Sequence, residues 1–181
     1  QNVFMLTSFN PGSGKSFLAM NIAMSFAIKK KRILVIDGDL RHGSTSSYVD
    51  SPKTGLSDYL GNRVSDWKEI IVKDEKYDNL HIIPIGTVPP NPTELLEDGK
   101  LATLIEVLRS EYDYIFIDCP PIDIVADAQI IEKLADRTVF VVRSGLLDRS
   151  MLPELENIYQ EKRFKNLSVI PVSYTHLRAH E

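Results

Sequence analysis

The sequence predicts an α/β fold: a mostly parallel sheet with helices on both faces, layered as a three-layer sandwich. Three observations carry this. Apolar runs of strand length, such as Val3-Phe4-Met5-Leu6, Ile33-Leu34-Val35-Ile36 and Tyr114-Ile115-Phe116-Ile117, lack the alternation of a half-exposed sheet and suit strands buried on both faces. Stretches with apolar residues at helical spacing fall between them, which is the order of β-α units. The 181 residues, 43% hydrophobic and 25% charged, give room for one substantial domain and are too few for two comfortable ones.

Taken in order, the first strand (3–6) leads through a glycine-containing loop into a helix that a basic cluster, Lys29-Lys30-Lys31-Arg32, closes where cations complement the helix dipole. A second strand (33–36) opens into the polar, glycine-punctuated segment Asp37-Gly38-Asp39-Leu40-Arg41-His42-Gly43, and 44–53 continues as a loop. Short helices are expected at 55–61 and 65–71, and a strand at 80–85 in which Pro84 marks an edge or an end. His81 lies in that strand without a ligand partner in the sequence. Gly86-Thr87-Val88-Pro89-Pro90-Asn91-Pro92 is a stiff connector, because three prolines fix φ and remove donors. Beyond it come a helix from 93 to about 109, with a break expected at Gly99, then a strand over 112–117, a helix over 125–134, a strand over 137–142, a helix over 151–164 and a strand start at 167–170.

The chain is organised around Thr7-Ser8-Phe9-Asn10-Pro11-Gly12-Ser13-Gly14-Lys15-Ser16. A strand, a glycine loop and a helix in that order make a phosphate site, since N–H groups at a helix start lack intrahelical partners and lie at the positive end of its dipole. Gly12 and Gly14 allow positive φ and close approach, Lys15 brings a mobile charge to the terminal phosphates, and the Ser16 hydroxyl can ligate Mg2+. The nucleotide-contacting set is Pro11, Gly12, Ser13, Gly14, Lys15, Ser16 and Phe17, with Arg41 as a further candidate, so the fold class narrows to a P-loop NTPase that binds a nucleotide with Mg2+. One position departs from the common pattern: Phe9 stands where its first glycine belongs.

Ligands of an open parallel sheet sit beyond the carboxyl ends of its strands, and two strands here end in carboxylates. Ile36 hands over to Asp37 and Asp39, and Ile117 to Asp118. Mg2+ is satisfied by one or two carboxylates with a hydroxyl, phosphate oxygens and water, so Ser16, Asp39 and Asp118 are assigned to the metal. Asp37 is left for general-base work on an incoming hydroxyl or for orienting it, with Lys15 and Asp39 completing the catalytic set; exchanging Asp37 and Asp39 fits almost as well. Arg41 either bridges to phosphate or pairs with an aspartate. Cys119 reads as a small packed residue, and His176 and His180 are not taken as a metal pair.

Composition narrows the partners. A net charge of −4 argues against a surface adapted to nucleic acid. A single cysteine rules out an internal disulfide and suits a reducing compartment, and no apolar run approaches the length of a spanning helix. Both ends read as cut, with a domain over 1–170 and a tail over 171–181 that resembles translated adapter sequence.

Three motifs then coincide. Ser8 to Ser16 (Ser-x-x-Pro-Gly-x-Gly-Lys-Ser), Ile36 to Arg41 (Ile-Asp-x-Asp-x-Arg) and Ile117 to Pro121 (Ile-Asp-x-Pro-Pro) resemble the Walker A, Walker A′ and Walker B motifs of the bacterial protein-tyrosine kinases. Gly86-Thr87-Val88-Pro89-Pro90-Asn91-Pro92-Thr93-Glu94-Leu95-Leu96 is similar to a further hallmark of that family. The resemblance implies a kinase domain at the cytoplasmic face of the bacterial inner membrane that transfers the ATP γ-phosphate to protein tyrosines. It also implies a membrane polysaccharide co-polymerase as partner, in the same chain or separate, assembly into a homo-oligomer, and a role in capsular or exopolysaccharide polymerisation and export. The C-terminal tyrosine cluster of that family has no counterpart here, where Tyr159 and Tyr174 stand alone. A rival is the non-kinase ATPase switch that positions chromosomes or division sites; such switches carry a second lysine at the place of Asn10.

Overall fold

A computed structural model describes residues 1–122 and 126–173. Its elements are β1 (Val3–Thr7), α1 (Lys15–Ile28), β2 (Ile33–Asp37), α2 (Leu56–Leu60), β3 (Val72–Lys73), β4 (Leu80–Ile83), α3 (Pro92–Glu97) and α4 (Lys100–Glu111). There follow β5 (Tyr114–Asp118), α5 (Asp127–Glu132), β6 (Arg137–Arg143), α6 (Leu152–Gln160) and β7 (Ser168–Val172). They build a seven-stranded sheet in the order β3-β4-β2-β5-β1-β6-β7. β3 alone runs antiparallel to its neighbour.

The sheet is buried on both faces because its strands are apolar at successive positions, as a parallel sheet requires. Leu34 and Ile36 of β2 and Ile115 and Ile117 of β5 face one core, where Leu101, Leu104, Ile105 and Leu108 of α4 meet them at helical spacing. Ile33 and Val35 of β2 and Phe116 of β5 face the other, against Ala19, Met20, Ala23 and Ala27 of α1. The alanines let α1 lie close over the middle strands. That closeness sets its first turn at the sheet's carboxyl edge.

The departures from the sequence reading have local causes. β3 is only two residues long, too short for a periodic signal, and it takes the sheet edge from β4. β4 stops at Ile83, immediately before Pro84, whose missing N–H ends the ladder. The helix from 93 divides at Gly99, which sits at φ +83°. α6 ends at Gln160, and Phe164 is buried from the loop beyond it. The 44–53 loop contains a 3-10 turn, Ser46–Val49, and that at 65–71 is a 3-10 turn over Trp67–Ile70. β7 runs through Pro171 and Val172, while 174–181, with Tyr174, His176 and His180, and residue 125 of the expected helix lie outside the described residues.

Candidate functional site

The loop after β1 is shaped by its glycines and hydroxyls. Gly12 and Gly14 adopt φ of +71° and +87°, the left-handed region closed to most side chains. A Cβ at Gly12 would meet nothing within 4 Å, so it is backbone conformation and not crowding that selects glycine there. The Asn10 carbonyl accepts from Ser8 Oγ (2.7 Å) and Ser13 Oγ (2.5 Å), which draws the loop into a closed curve. No side chain caps α1, so the N–H groups of its first turn are open to an anion. Phe9, the departure from the common pattern, is 3% exposed and packs edge-on against Phe140 of β6 at 4.8 Å. It anchors the loop's root from beneath.

Lys15 begins α1 and turns inward, 8% exposed, with Nζ donating to Ser8 Oγ at 3.2 Å. Burial holds its pKa below the usual lysine range, against the pull of Asp118 and Asp39. Asp118 ends β5 on the same rim, and its Oδ2 accepts from Ser16 Oγ (2.5 Å) and Thr45 Oγ1 (2.6 Å). Burial pushes its carboxyl up, opposed by the Ser16 and Thr45 bonds and by Lys15. Its Oδ1 is buried with no hydrogen-bond partner among the described residues.

Asp37 ends β2 directly opposite Asp118 in the ladder. It is fully buried; Oδ2 accepts from both the N–H and the hydroxyl of Ser46, each at 2.7 Å, and Oδ1 from the Asp39 N–H at 3.3 Å. Burial first, and the charges of Asp118 and Asp39 with it, raise its pKa to about 7 despite the Ser46 bonds. Gly38 between the two aspartates is needed for space, since a Cβ there would come within 3.0 Å of the Asp118 carbonyl. Asp39 turns into its own loop, accepting from the N–H groups of Arg41 (3.2 Å) and His42 (3.3 Å) and meeting His42 Nδ1 at 3.0 Å.

Lys15, Ser16, Asp37, Asp39 and Asp118 therefore converge on one rim of the sheet. Arg41 points elsewhere: Nη2 donates to Thr93 Oγ1 (3.2 Å), and Nε lies 3.4 Å from Oδ2 of the buried Asp127, whose Oδ1 accepts from the same threonine at 2.7 Å. Phe17 is 67% exposed on the far side of the loop. Two cavities flank the loop accordingly. One, about 360 Å3, is lined by Pro11, Gly12, Lys15, Asp39, His42 and Pro121, and Arg41 also contributes to its wall. The other, about 370 Å3, lies between Ser13, Gly14, Phe17, Arg143 and Val172.

The donor set fits the groups expected from the sequence. Among the described residues no three His, Cys, Asp or Glu side chains gather to hold a metal alone. Mg2+ does not need them: a serine hydroxyl beside a carboxylate with an open buried oxygen suits a cation that completes its octahedron with phosphate oxygens and water. Sequence reasoning missed the hydroxyls that hold the carboxylates, Thr45 and Ser46, because they lie in a polar stretch without periodicity. It also missed Asp127 and Arg143, remote in sequence from Arg41 and Gly12, which they respectively contact. Among the described residues no helix is long and apolar enough to cross a membrane.

Similarity to known proteins extends over most of the chain. The profile of a family described as an AAA domain matches residues 2–144. The tyrosine-protein kinase CpsD of Streptococcus pneumoniae is 39% identical over 149 residues, which is 81% of this chain and 65% of that protein. The putative tyrosine-protein kinase CapB of Staphylococcus aureus is 33% identical over 167 residues, 92% of this chain and 72% of that one. The kinase domain of the Escherichia coli tyrosine kinase ETK matches with a TM-score of 0.83 at 28% identity, covering 99% of this chain and 72% of that structure. The septum site-determining protein MinD of Pyrococcus horikoshii, solved in complex with Mg-ADP, matches with a TM-score of 0.74 at 21% identity over 92% of this chain and 67% of that one, a likeness of fold alone.

Proposed function

Because the chain belongs to the AAA-domain family and, within it, to the bacterial tyrosine-protein kinases, we propose that it is the catalytic domain of an ATP-dependent protein-tyrosine kinase acting in capsular or exopolysaccharide polymerisation and export. The observation that carries the reading is the meeting of Lys15, Ser16, Asp37 and Asp118 at one rim, from three places in the sequence. Pro11, Gly12, Ser13, Gly14, Lys15 and Ser16 hold the nucleotide phosphates, and Phe17 borders the cavity on the base side. Ser16 and Asp118 would hold Mg2+, with Asp39 directly or through water, and the chemistry the cation would supply there is screening of the phosphate charge. Asp37 receives the proton of the acceptor phenol. In the metal-free protein burial and the neighbouring Asp118 and Asp39 raise its carboxyl pKa to about 7, which supports its choice as the base. Arg41, held by Asp127, lines the cavity it shares with Lys15 and Asp39, which is taken as the acceptor side.

The whole protein acts at the cytoplasmic face of the bacterial inner membrane, as a homo-oligomer paired with a membrane polysaccharide co-polymerase, on tyrosine-bearing proteins. Nucleic acid is not its partner. The switch-ATPase alternative rests on fold likeness at 21% identity and lacks its second lysine, Asn10 standing in that place. The test is incubation of the full-length protein with ATP and Mg2+. Phosphotyrosine is expected to appear, and Lys15→Met to abolish it. Hydrolysis without phosphotyrosine on protein or peptide, even with the membrane partner present, would favour the switch.

A further inference from the structure

The geometry points to Arg143 as a positioning residue for the phosphate loop, acting through the carbonyl of Gly12; this rests on the nucleotide reading above. Arg143 is the last residue of β6, the strand beside β1, so it emerges next to the loop that β1 feeds. Its Nη1 donates to the Gly12 carbonyl at 3.0 Å across 131 residues of sequence. The neighbouring Ser144 N–H donates to the Val172 carbonyl at 3.0 Å, which fixes the end of β6 against β7. Among the described residues Arg143 makes no ion pair, so no carboxylate competes for its guanidinium.

The consequence follows from the planarity of the peptide. In a trans peptide the C=O and the N–H point in opposite directions, so holding the Gly12 carbonyl toward Arg143 aims the Ser13 N–H the other way. Ser13 is 3% exposed, and its N–H donates to no backbone acceptor among the described residues. A buried, unpaired donor is uncommon unless a ligand takes it. Gly12, at φ +71° with nothing near its absent Cβ, is free to rotate this peptide, and the arginine removes that freedom. Arg143 thus keeps a phosphate-binding amide in place before the anion arrives, a gain in preorganisation rather than a new contact to the ligand.

The test is titration of the full chain with a fluorescent ADP analogue and Mg2+, with melting temperature recorded for each variant. Arg143→Ala is expected to raise Kd about five- to tenfold, the size of one ordinary hydrogen bond lost indirectly, with the melting temperature unchanged. Arg143→Lys, which keeps a charge but not the planar fork, recovers part of the loss, and the difference between Arg and Ala persists in high salt. Equal affinities for the unaltered chain and Arg143→Ala overturn the inference, as does a lowered melting temperature with Kd unchanged. A difference erased by salt, with lysine equal to arginine, replaces peptide positioning by a bare field effect and overturns it too. Absence of binding by the unaltered chain removes the nucleotide reading itself, and this inference with it.

Discussion

Asp37 sits where a carboxylate is hardest to keep charged. It is fully buried, it faces Asp118 across the β2–β5 ladder, and its compensation is the pair of donors from Ser46. Its folded pKa, about 7, lies above its unfolded value of 3.8, so the folded state holds the proton more tightly. The metal-free protein therefore loses stability as pH rises from about 4 to about 7, and the loss remains above that. Asp37→Asn abolishes the buried charge while keeping the shape and an oxygen for Ser46. At pH 8 in chelator the variant is expected to be about 1–2 kcal/mol more stable than the unaltered chain, a rise of several degrees in melting temperature, and to form no phosphotyrosine. Scanning calorimetry between pH 4 and 8 checks the slope. A variant that melts lower at pH 8, or a gap independent of pH, would show that burial is not what raises this group.

At the scale of elements, the connector 86–92 is fixed by a knot that the sequence does not advertise. The Asp58 carboxylate of α2 accepts from the N–H groups of Gly55 and Thr87, each at 3.0 Å, and meets Arg63 Nη1 at 3.1 Å. Burial works against its charge, but the bonds from Thr87 and Gly55 and the nearby Arg63 hold its pKa below the usual carboxylate range. Gly55 crosses the end of β4 so closely that a Cβ would strike the Pro84 carbonyl and the Gly86 nitrogen. Gly55→Ala is accordingly expected to cost at least about 2 kcal/mol, and Asp58→Ala about 1–3 kcal/mol, by denaturant unfolding; Arg63→Ala, whose own side chain is largely solvated, costs well under that. A neutral Gly55→Ala would mean the crossing yields without strain. Strands and helices were legible where apolar periodicity ran for four residues or more, and the glycine and proline breaks at Gly99 and Pro84 fell at their expected places. The knot was not, because its members lie up to 32 positions apart and each is an ordinary turn residue. The same holds for Arg41: the choice between phosphate and aspartate depended on Asp127, which only the packing of α3 and α5 brings near.

At the scale of the molecule, the meeting of the loop and the strand-ending aspartates could be anticipated from the sequence because sheet order obeys a general rule. Carboxyl ends of parallel strands meet at one edge, so a loop and two strand-ending aspartates must share it whatever the order of the strands. What the rule left open was which strands are neighbours, and that decides the energetics. The phosphate loop and Asp118 leave β1 and β5, adjacent strands at the middle of the sheet, with β2 and β6 on their outer sides. Ligand that spans the loop and Asp118 therefore ties the two strands whose separation is equivalent to losing the whole sheet, and opening the site requires global rather than local unfolding. Binding energy should then appear in full as stability. At a Mg-ADP concentration 100 times Kd the gain is about 2.7 kcal/mol, which for a domain of this size is a rise of roughly 5–10 °C in melting temperature. ADP with chelator is expected to give a clearly smaller rise, since linking the negatively charged phosphates to the Asp118 carboxylate needs the cation. Amide exchange should slow together in β1, β2 and β5, not in the loop alone. Protection confined to the loop, or equal shifts with and without Mg2+, would mean that the nucleotide is held by the loop without engaging the carboxylate edge.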